Sequence, residues 1–203
     1  MTKNKNLLLI FTRNPEIGKC KTRLAKTIGA ENALSIYKTL LEHTVKTTSN
    51  ITCEKAVYYS VKIRENDIWD NEVFKKYQQN GTDLGLRMKN AFKTSFENNY
   101  HKVLIIGSDL YDLEPKHIQK AFKELDHNDV VIGPAQDGGY YLLGMKELHP
   151  NIFENKNWGT ATVREETLND LKTKKVAQLE MLNDIDVYDD IKEYPAFKPY
   201  LIQ

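Results

Sequence analysis

A basic turn near the start of the chain is the segment whose residue types best suit chemistry. It reads Asn-Pro-Glu-Ile-Gly-Lys-Cys-Lys-Thr-Arg-Leu over residues 14–24 and directly follows the apolar run 7–11. Lys19, Lys21 and Arg23 stand where a helix would begin, and unpaired backbone N–H groups carry partial positive charge there. The pattern predicts a phosphate-binding loop; the alternative is a solvated loop that is basic by chance. It matches neither the Walker loop nor the dinucleotide fingerprint.

An aspartate follows the most apolar segment of the chain. Asp109 comes two residues after Gly107, at the end of the predicted strand 102–107. Mg2+ binds carboxylate oxygens together with substrate phosphates, often through only one or two protein ligands. Asp109 is therefore a candidate metal or phosphate-site residue. Alternatively it holds a turn or caps the helix that begins near Pro115, a role that suits Asp112 better.

Three further loops combine acids, amides and glycines after predicted strands. In residues 133–144, Asp137 is placed to hydrogen-bond a ligand, although Asp-Gly-Gly between strands is also typical of a hairpin. In residues 79–88, Gln79 and Gly81 could read a nucleobase edge, Asp83 could cap a helix, and Arg87 is a phosphate candidate only if it faces the sheet end. Near the end of the chain, Asp186 is either a second metal ligand or the N-cap of a last helix.

The elements that must position these loops alternate between strand and helix patterns. Strands are predicted at 7–12, 55–59, 75–79, 102–107, 129–133, 140–144 and 175–179. Amphipathic helices are predicted over 33–45, 84–96, 115–125 and 162–171, the third opened by Pro115 and the last by a Thr162–Glu165 capping box. This alternation favours a mostly parallel sheet covered by helices on both faces, in which ligands bind beyond the carboxyl ends of the strands.

Composition bounds the class of protein. The 203 residues suit one domain, expected to span 1–203, and 29 basic against 28 acidic residues give a net charge of only +1. A nucleic-acid partner is not expected, because such binders usually carry a basic excess. Two cysteines without a C-x-x-C pair, no signal-peptide core and no membrane span predict a cytoplasmic protein. The sequence does not indicate an oligomeric state.

The order of the motifs carries a family resemblance. Along the chain they read N-P-E-I-G-K-C-K-T-R-L-A, Q-N-G-T-D-L-G-L-R-M, G-S-D-L-Y-D-L, G-P-A-Q-D-G-G-Y-Y-L-L-G, W-G-T-A-T-V and N-D-I-D. From Leu7 to about Ile191 the chain resembles a bacterial glycosyltransferase-like family, long carried as a domain of unknown function, in the nucleotide-diphospho-sugar transferase (GT-A-like) superfamily. It is more distantly similar to phospholactate and molybdenum-cofactor guanylyltransferases.

The resemblance implies a three-layer α/β/α, Rossmann-like fold with a nucleotide over the end of the first strand. Lys21, Arg23 and Asp109 are the implied catalytic residues, and Asp109 and Asp186 the implied ligands of Mg2+ or Mn2+. Together with the loop patterns, it assigns these residues to the nucleotide: Arg13, Gly18, Lys21, Arg23, Gln79, Gly81, Asp83 and Ser108. It assigns these to the acceptor or sugar: Asp137, Gly138, Gly139, Trp158 and Thr160. Arg13 stands where lysine is more usual in the family.

The expected function is that of a metal-dependent transferase with a small-molecule acceptor. Two chemistries fit, namely nucleotidyl transfer from a nucleoside triphosphate to a phosphorylated acceptor and glycosyl transfer from a nucleotide sugar. Neither needs a protein nucleophile, since positioning and electrostatics supply the rate. The alternative is a non-catalytic nucleotide-binding module on the same fold.

Overall fold

Residues 5–201, the part of the chain that the computed structural model describes, form seven strands and six α-helices. The strands are β1 (Asn6–Thr12), β2 (Glu54–Tyr59), β3 (Lys75–Gln78), β4 (Lys102–Ile106), β5 (Val130–Pro134), β6 (Tyr140–Met145) and β7 (Val176–Gln178). The helices are α1 (Thr22–Ile28), α2 (Ala30–Ser49), α3 (Leu84–Glu97), α4 (Pro115–Glu124), α5 (Val163–Asp170) and α6 (Tyr188–Ile191). Two short 3-10 helices, Pro150–Phe153 and Pro195–Tyr200, complete the elements.

The strands form one mostly parallel sheet in the order β3-β2-β1-β4-β6-β5-β7. Only β6 runs against its neighbours, because the short turn 135–139 returns the chain from β5 and pairs the two strands as a hairpin. The predicted α/β class is confirmed. Each predicted strand is present, with ends that differ by at most one residue.

Helices pack on both faces of the sheet, and one cluster of buried apolar side chains lies between the sheet and the helices on each face. Side chains alternate along β1, so that Leu8 and Ile10 pack in one cluster while Leu7 and Leu9 pack in the other. The first cluster includes buried residues of α1, α2 and α4, and the second includes those of α3. Because both faces are covered, β1 and β4 read as nearly continuous apolar runs.

Two capping predictions are wrong. Thr162 has a helical backbone conformation and makes no side-chain cap; its Oγ1 instead lies 3.1 Å from Oγ1 of Thr160. The N-cap of α4 is Glu114, whose N–H donates to Nδ1 of His117, so neither candidate aspartate caps that helix. Asp112 accepts a hydrogen bond from the Tyr194 hydroxyl at 2.6 Å. The prediction that Pro115 opens α4 is confirmed.

This topology gathers the predicted loops at one edge of the sheet. The loops after β1, β3, β4 and β7 follow the carboxyl ends of parallel strands. The 135–139 turn joins the end of β5 to the start of the antiparallel strand β6, so it lies at this edge as well. Within residues 5–201, no helix has the length and apolar character that crossing a membrane requires.

Candidate active site

Two adjoining cavities open at this edge, and both are lined by Asp109. The first, here called the polar cavity, measures about 540 Å3 and lies between the loops after β1, β3 and β4. The second, here called the apolar cavity, measures about 200 Å3 and lies between α3, the end of β4 and the start of β6. The charged residues that line the polar cavity are Arg13, Lys19, Lys21, Asp83, Arg87, Asp109 and Asp186.

Lys21 occupies the junction of the basic loop and α1. Its backbone is left-handed, with φ of 48°, and its side chain is only 6% exposed. The Nζ atom lies 2.9 Å from Oδ2 of Asp109. Burial by itself would lower the pKa of Lys21, but the charge and hydrogen bond of Asp109, together with the charges of Asp186 and Asp184, raise that pKa above its ordinary value. Lys21 is therefore a fixed, charged ammonium at the strand tip.

A second ion pair joins α1 to the loop after β7. Nη1 of Arg23 lies 2.9 Å from Oδ2 of Asp186, and the Arg23 side chain is 67% exposed. Asp186 lines the polar cavity, whereas Arg23 stands beside it. The N-cap reading of Asp186 is wrong, because Val187 is the N-cap of α6 and Asp186 donates its N–H to Asp190.

The tips of β1 and β4 are joined by a buried hydroxyl network. Oγ of Ser108 donates to Oγ1 of Thr12 at 3.1 Å and lies 3.3 Å from the Tyr37 hydroxyl. The Tyr37 hydroxyl accepts the N–H of Arg13 at 2.9 Å. This network fixes the backbone at Arg13 and leaves its exposed side chain on the cavity wall.

The segment after β3 places Arg87 in the polar cavity. Nε of Arg87 donates to the Gly81 carbonyl at 2.9 Å, and its Nη1 lies 3.5 Å from Oε1 of Gln79. Arg87 therefore faces the carboxyl end of the sheet, which was the condition for it to be a candidate phosphate ligand. Asp83 caps α3 by accepting the N–H of Leu86 at 2.9 Å and also lines the cavity.

Two residues that were predicted to bind the nucleotide, Gly81 and Gly18, allow unusual backbone conformations and do not line either cavity. Gly81 has φ of 147°, and a Cβ there would approach the backbone N of Arg87 at 2.8 Å. Gly18 has φ of 72° in an exposed turn. Neither is among the cavity-lining residues. The amide of Gln79 does line the cavity, but its Nε2 donates to the Thr12 and Tyr58 carbonyls.

The apolar cavity brings together most of the predicted acceptor residues. Asp137, Gly139, Trp158 and Thr160 line it. Gly138 does not; it has φ of 90° and packs against the backbone of Ala161, where a Cβ would collide. The hairpin interpretation of this loop is confirmed, since Asp137 accepts the N–H of Gly139 at 2.8 Å within the turn.

Asp184 lines the apolar cavity and was missed by the sequence reasoning, which selected Asp186 from the same segment. Burial, with the negative charges of Asp109 and Asp137, raises the pKa of Asp184 to about 6. The intervening Ile185 is fully buried and donates its N–H to the carbonyl of Asp109 at 3.1 Å. The acid-apolar-acid spacing around Ile185 was the available signal, because it places two acids on the same side of an extended segment.

The carboxylates at this edge are sufficient for a magnesium ion that also binds phosphate, because such an ion needs only one or two protein ligands. Within residues 5–201 no three His, Cys, Asp or Glu side chains form a ready-made metal cluster. Asp109 and Asp186 nevertheless line one cavity, and Asp184, the other acid of the loop after β7, lines the adjoining cavity together with Asp109. Mg2+ typically uses one or two carboxylates and completes its shell with water and phosphate oxygens. The residues present therefore fit such an ion.

Comparison with known proteins places the chain in a family. A family model described as "Uncharacterized protein conserved in bacteria (DUF2064)" matches residues 44–160, which is more than half of the chain. The chain belongs to the DUF2064 family. The matched segment of this DUF2064 protein contains Asp109, Arg87 and the 135–139 turn, whereas the basic loop precedes it.

Two curated relatives of this DUF2064 protein are 2-phospho-L-lactate guanylyltransferases. The one from Methanocaldococcus vulcanius is 27% identical over 144 residues, covering 69% of this chain and 61% of the relative. The one from Methanocaldococcus jannaschii is 27% identical over 134 residues, covering 64% and 56%. The chain thus spans about three fifths of the length of the curated relatives it matches.

Solved structures share the fold over nearly the whole DUF2064 chain. A protein from Desulfovibrio desulfuricans G20, provisionally described as a nucleotide-diphospho-sugar transferase, is 28% identical with a TM-score of 0.82, covering 98% of this chain and 99% of that one. The 4-diphosphocytidyl-2C-methyl-D-erythritol synthase of Anaerococcus prevotii DSM 20548 is 12% identical with a TM-score of 0.58, covering 92% and 93%. The second likeness concerns the fold alone.

Proposed function

We propose that this protein is a nucleotidyltransferase that uses a nucleoside triphosphate and a small phosphorylated acceptor. The observation that carries the proposal is the buried Lys21 ammonium, held 2.9 Å from Asp109 where the two cavities meet. A fixed cation beside a strand-tip carboxylate suits a phosphate chain and its metal ion. The curated guanylyltransferase relatives support the same chemistry.

The polar cavity supplies charge for the triphosphate. Arg13, Lys19 and Lys21 line it from the loop after β1, and Arg87 lines it from the first turn of α3, in a chain whose net charge is only +1. Local concentration of cations, rather than overall charge, is what a small polyanionic ligand requires. Lys21 is held more firmly than Lys19, because its side chain is only 6% exposed, whereas that of Lys19 is 71% exposed and pairs with Glu16.

Asp109 and Asp186 are the proposed ligands of a divalent cation, Mg2+ or Mn2+. Bound there with phosphate oxygens, such an ion would neutralise charge that develops as the phosphoanhydride breaks. The chain's own residues would then orient the phosphates. Were Asp186 to hold that ion, its partner Arg23 would be free to pair with a phosphate oxygen.

The transfer step needs no covalent enzyme intermediate. An oxygen of the acceptor phosphate attacks the α-phosphorus, and the bond from that phosphorus to the oxygen bridging it to the β-phosphate breaks. Pyrophosphate leaves with the electron pair of that bond. Lys21 stabilises the negative charge on the departing group, and the adjoining apolar cavity holds the acceptor in line.

Glycosyl transfer from a nucleotide sugar is the second candidate. It is favoured by the Desulfovibrio structure, which matches the chain almost end to end and is described as a nucleotide-diphospho-sugar transferase. The same cations and carboxylates would then stabilise a nucleoside diphosphate as the leaving group. The two functions therefore differ in the product that is released.

Thermal unfolding with nucleoside triphosphates and nucleotide sugars, each with and without Mg2+, tests the proposal. A native-state ligand at about 100 times its Kd adds roughly 2.7 kcal/mol, or about 5–10 °C for a chain of this size. We expect a Mg2+-dependent rise with one triphosphate and, with a suitable acceptor phosphate, release of pyrophosphate. A rise confined to nucleotide sugars would support glycosyl transfer instead.

The same panel separates both enzymes from a non-catalytic module. Binding of a triphosphate without turnover of any acceptor phosphate, together with full cellular function of Asp109→Asn, would support that module. A folded sample that binds neither class of nucleotide would overturn the proposed function.

A further inference from the structure

We infer that the acceptor presents an apolar, non-anionic portion to the apolar cavity, beyond the end that reacts. This inference rests on the proposed function, because it concerns the substrate class of the same site. It follows from the lining of the apolar cavity, from the signs of the charges at its rim and from its position relative to Asp109.

The wall of the apolar cavity consists mainly of hydrocarbon and aromatic surface. It includes Met88, Ile105, Leu143, Tyr140, Trp158 and Val163. Several of these side chains also belong to the buried layer between α3 and the sheet. A ligand portion that fills this space exchanges water for apolar contact, which favours carbon-rich groups.

The charges at the rim are all of one sign. Asp109, Asp137 and Asp184 line the apolar cavity, and no described lining residue is Lys, Arg or His. A carboxylate or second phosphate on the far end of the acceptor would meet repulsion without a compensating cation. The polar cavity next to it has four lining cations.

The position of Asp109 orients the acceptor across the two cavities. Asp109 lines both, and its partner Lys21 lines only the polar one. An acceptor whose phosphate lies at this junction has a cation and a metal site at that end. The remainder of the molecule then extends into the apolar cavity, away from the cations.

The aromatic wall is held in place before any ligand binds. The indole of Trp158 lies against Gly85 at the start of α3, so closely that a Cβ on that glycine would collide with it. Nearby, the buried Lys156 ammonium pairs with Asp170 of α5 at 2.6 Å, and Lys89 of α3 pairs with Glu154 at 2.7 Å. These contacts tie the 154–158 segment to two helices, so the wall is a fixed surface.

Two matched acceptor probes test the inference. n-Butyl phosphate and 4-phosphonooxybutanoate share the phosphate and a four-carbon chain, and differ in ending with a methyl group or a carboxylate. Each probe is titrated into the protein in the presence of Mg2+, with and without a saturating non-hydrolysable nucleoside triphosphate, and binding is measured by calorimetry. We expect n-butyl phosphate to bind at least tenfold more tightly.

Variants at the cavity identify where the discrimination arises. Thr160→Arg adds a cation at an exposed position on the rim of the apolar cavity. We expect it to strengthen binding of 4-phosphonooxybutanoate and so to reduce the difference in affinity between the two probes. Thr160→Gln is the uncharged control and should leave the ratio of the two probes' affinities unchanged. Trp158→Ala should weaken n-butyl phosphate at least tenfold without weakening the triphosphate, whereas Trp158→Phe should retain most of the affinity.

Each outcome has a defined meaning. Equal or tighter binding of the carboxylate probe overturns the inference, and so does failure of both probes to bind when the triphosphate binds. If the triphosphate itself does not bind, the proposed function fails, while the titrations without nucleotide still decide whether the cavity prefers the apolar probe.

Discussion

Lys21 and Asp109 stand 88 positions apart in the sequence, yet Nζ of one lies 2.9 Å from Oδ2 of the other. The proposed phosphate cation and the proposed metal ligand therefore neutralise each other when neither ligand is bound. A metal-bound triphosphate would separate the pair by supplying each member with a new partner. The arrangement favours binding of metal and nucleotide together over binding of either alone.

Replacing Lys21 with methionine tests this arrangement. Removing a charge-assisted hydrogen bond costs about 1.5–3 kcal/mol, so we expect triphosphate affinity to fall roughly 10- to 100-fold. Lys26→Met, at an exposed position of the same helix, is the matched control and should change affinity little. Equal affinities for the wild type and Lys21→Met, measured calorimetrically, would contradict the assigned role.

Replacing Asp184 with asparagine should stabilise the protein when metal is chelated. The pKa of Asp184 is raised to about 6 by burial and by neighbouring carboxylates, against an ordinary value of about 3.9. Its protonated form favours the folded state, so its contribution to stability is present below about pH 4 and is lost as the pH rises through about 6. Asparagine resembles the protonated form at every pH.

The unfolding temperature of Asp184→Asn should therefore exceed that of the wild type by more at pH 7.5 than at pH 4.5. Asp189→Asn, at a side chain that is 79% exposed, provides the control. A stability difference that does not grow with pH would show that the carboxylate cluster does not raise the pKa of Asp184.

Adding a methyl group at Gly85 should displace the aromatic wall. A Cβ there overlaps the indole of Trp158, so Gly85→Ala should weaken acceptor binding while triphosphate binding persists. The other tryptophan, Trp69, is only 2% exposed, so a red-shifted emission would report that Trp158 has moved into water. Lys93→Ala, exposed on the same helix, should leave the spectrum unchanged, and an unshifted spectrum in Gly85→Ala would contradict the packing described.

The two thiols should react slowly in the folded protein. Burial raises the pKa of Cys53 to about 11 and also raises that of Cys20, which lines the polar cavity. At pH 8 the thiolate fraction of Cys53 is then about 0.001, against roughly a quarter for an ordinary thiol. Labelling of Cys53 with a thiol reagent should be at least 100-fold slower than after unfolding, and should accelerate as the pH rises from 8 to 10. Equal rates before and after unfolding would contradict the burial.

The sequence alone determined the strands and the edge where the loops meet. Continuous apolar runs such as 103–106 suit strands covered on both faces, and parallel strands bring their carboxyl ends to one edge whatever the details of packing. Basic, acidic and glycine-rich loops that follow those strands therefore had to lie near one another. That logic depends on local pattern and on topology.

The tertiary structure decided which residues of those loops contact one another. Residue type does not distinguish Lys21 from Lys19, and the family resemblance selected Lys21; in the structure its ammonium lies against Asp109, whereas Lys19 pairs with Glu16. The cavity that Asp184 shares with Asp109 and Asp137 likewise depends on residues far from it along the chain. Contacts between residues many positions apart depend on strand register and loop conformation, which set the distances and fields that pair or oppose charges. The division of the site into a cationic cavity and an apolar, acid-rimmed one exists only in that three-dimensional arrangement.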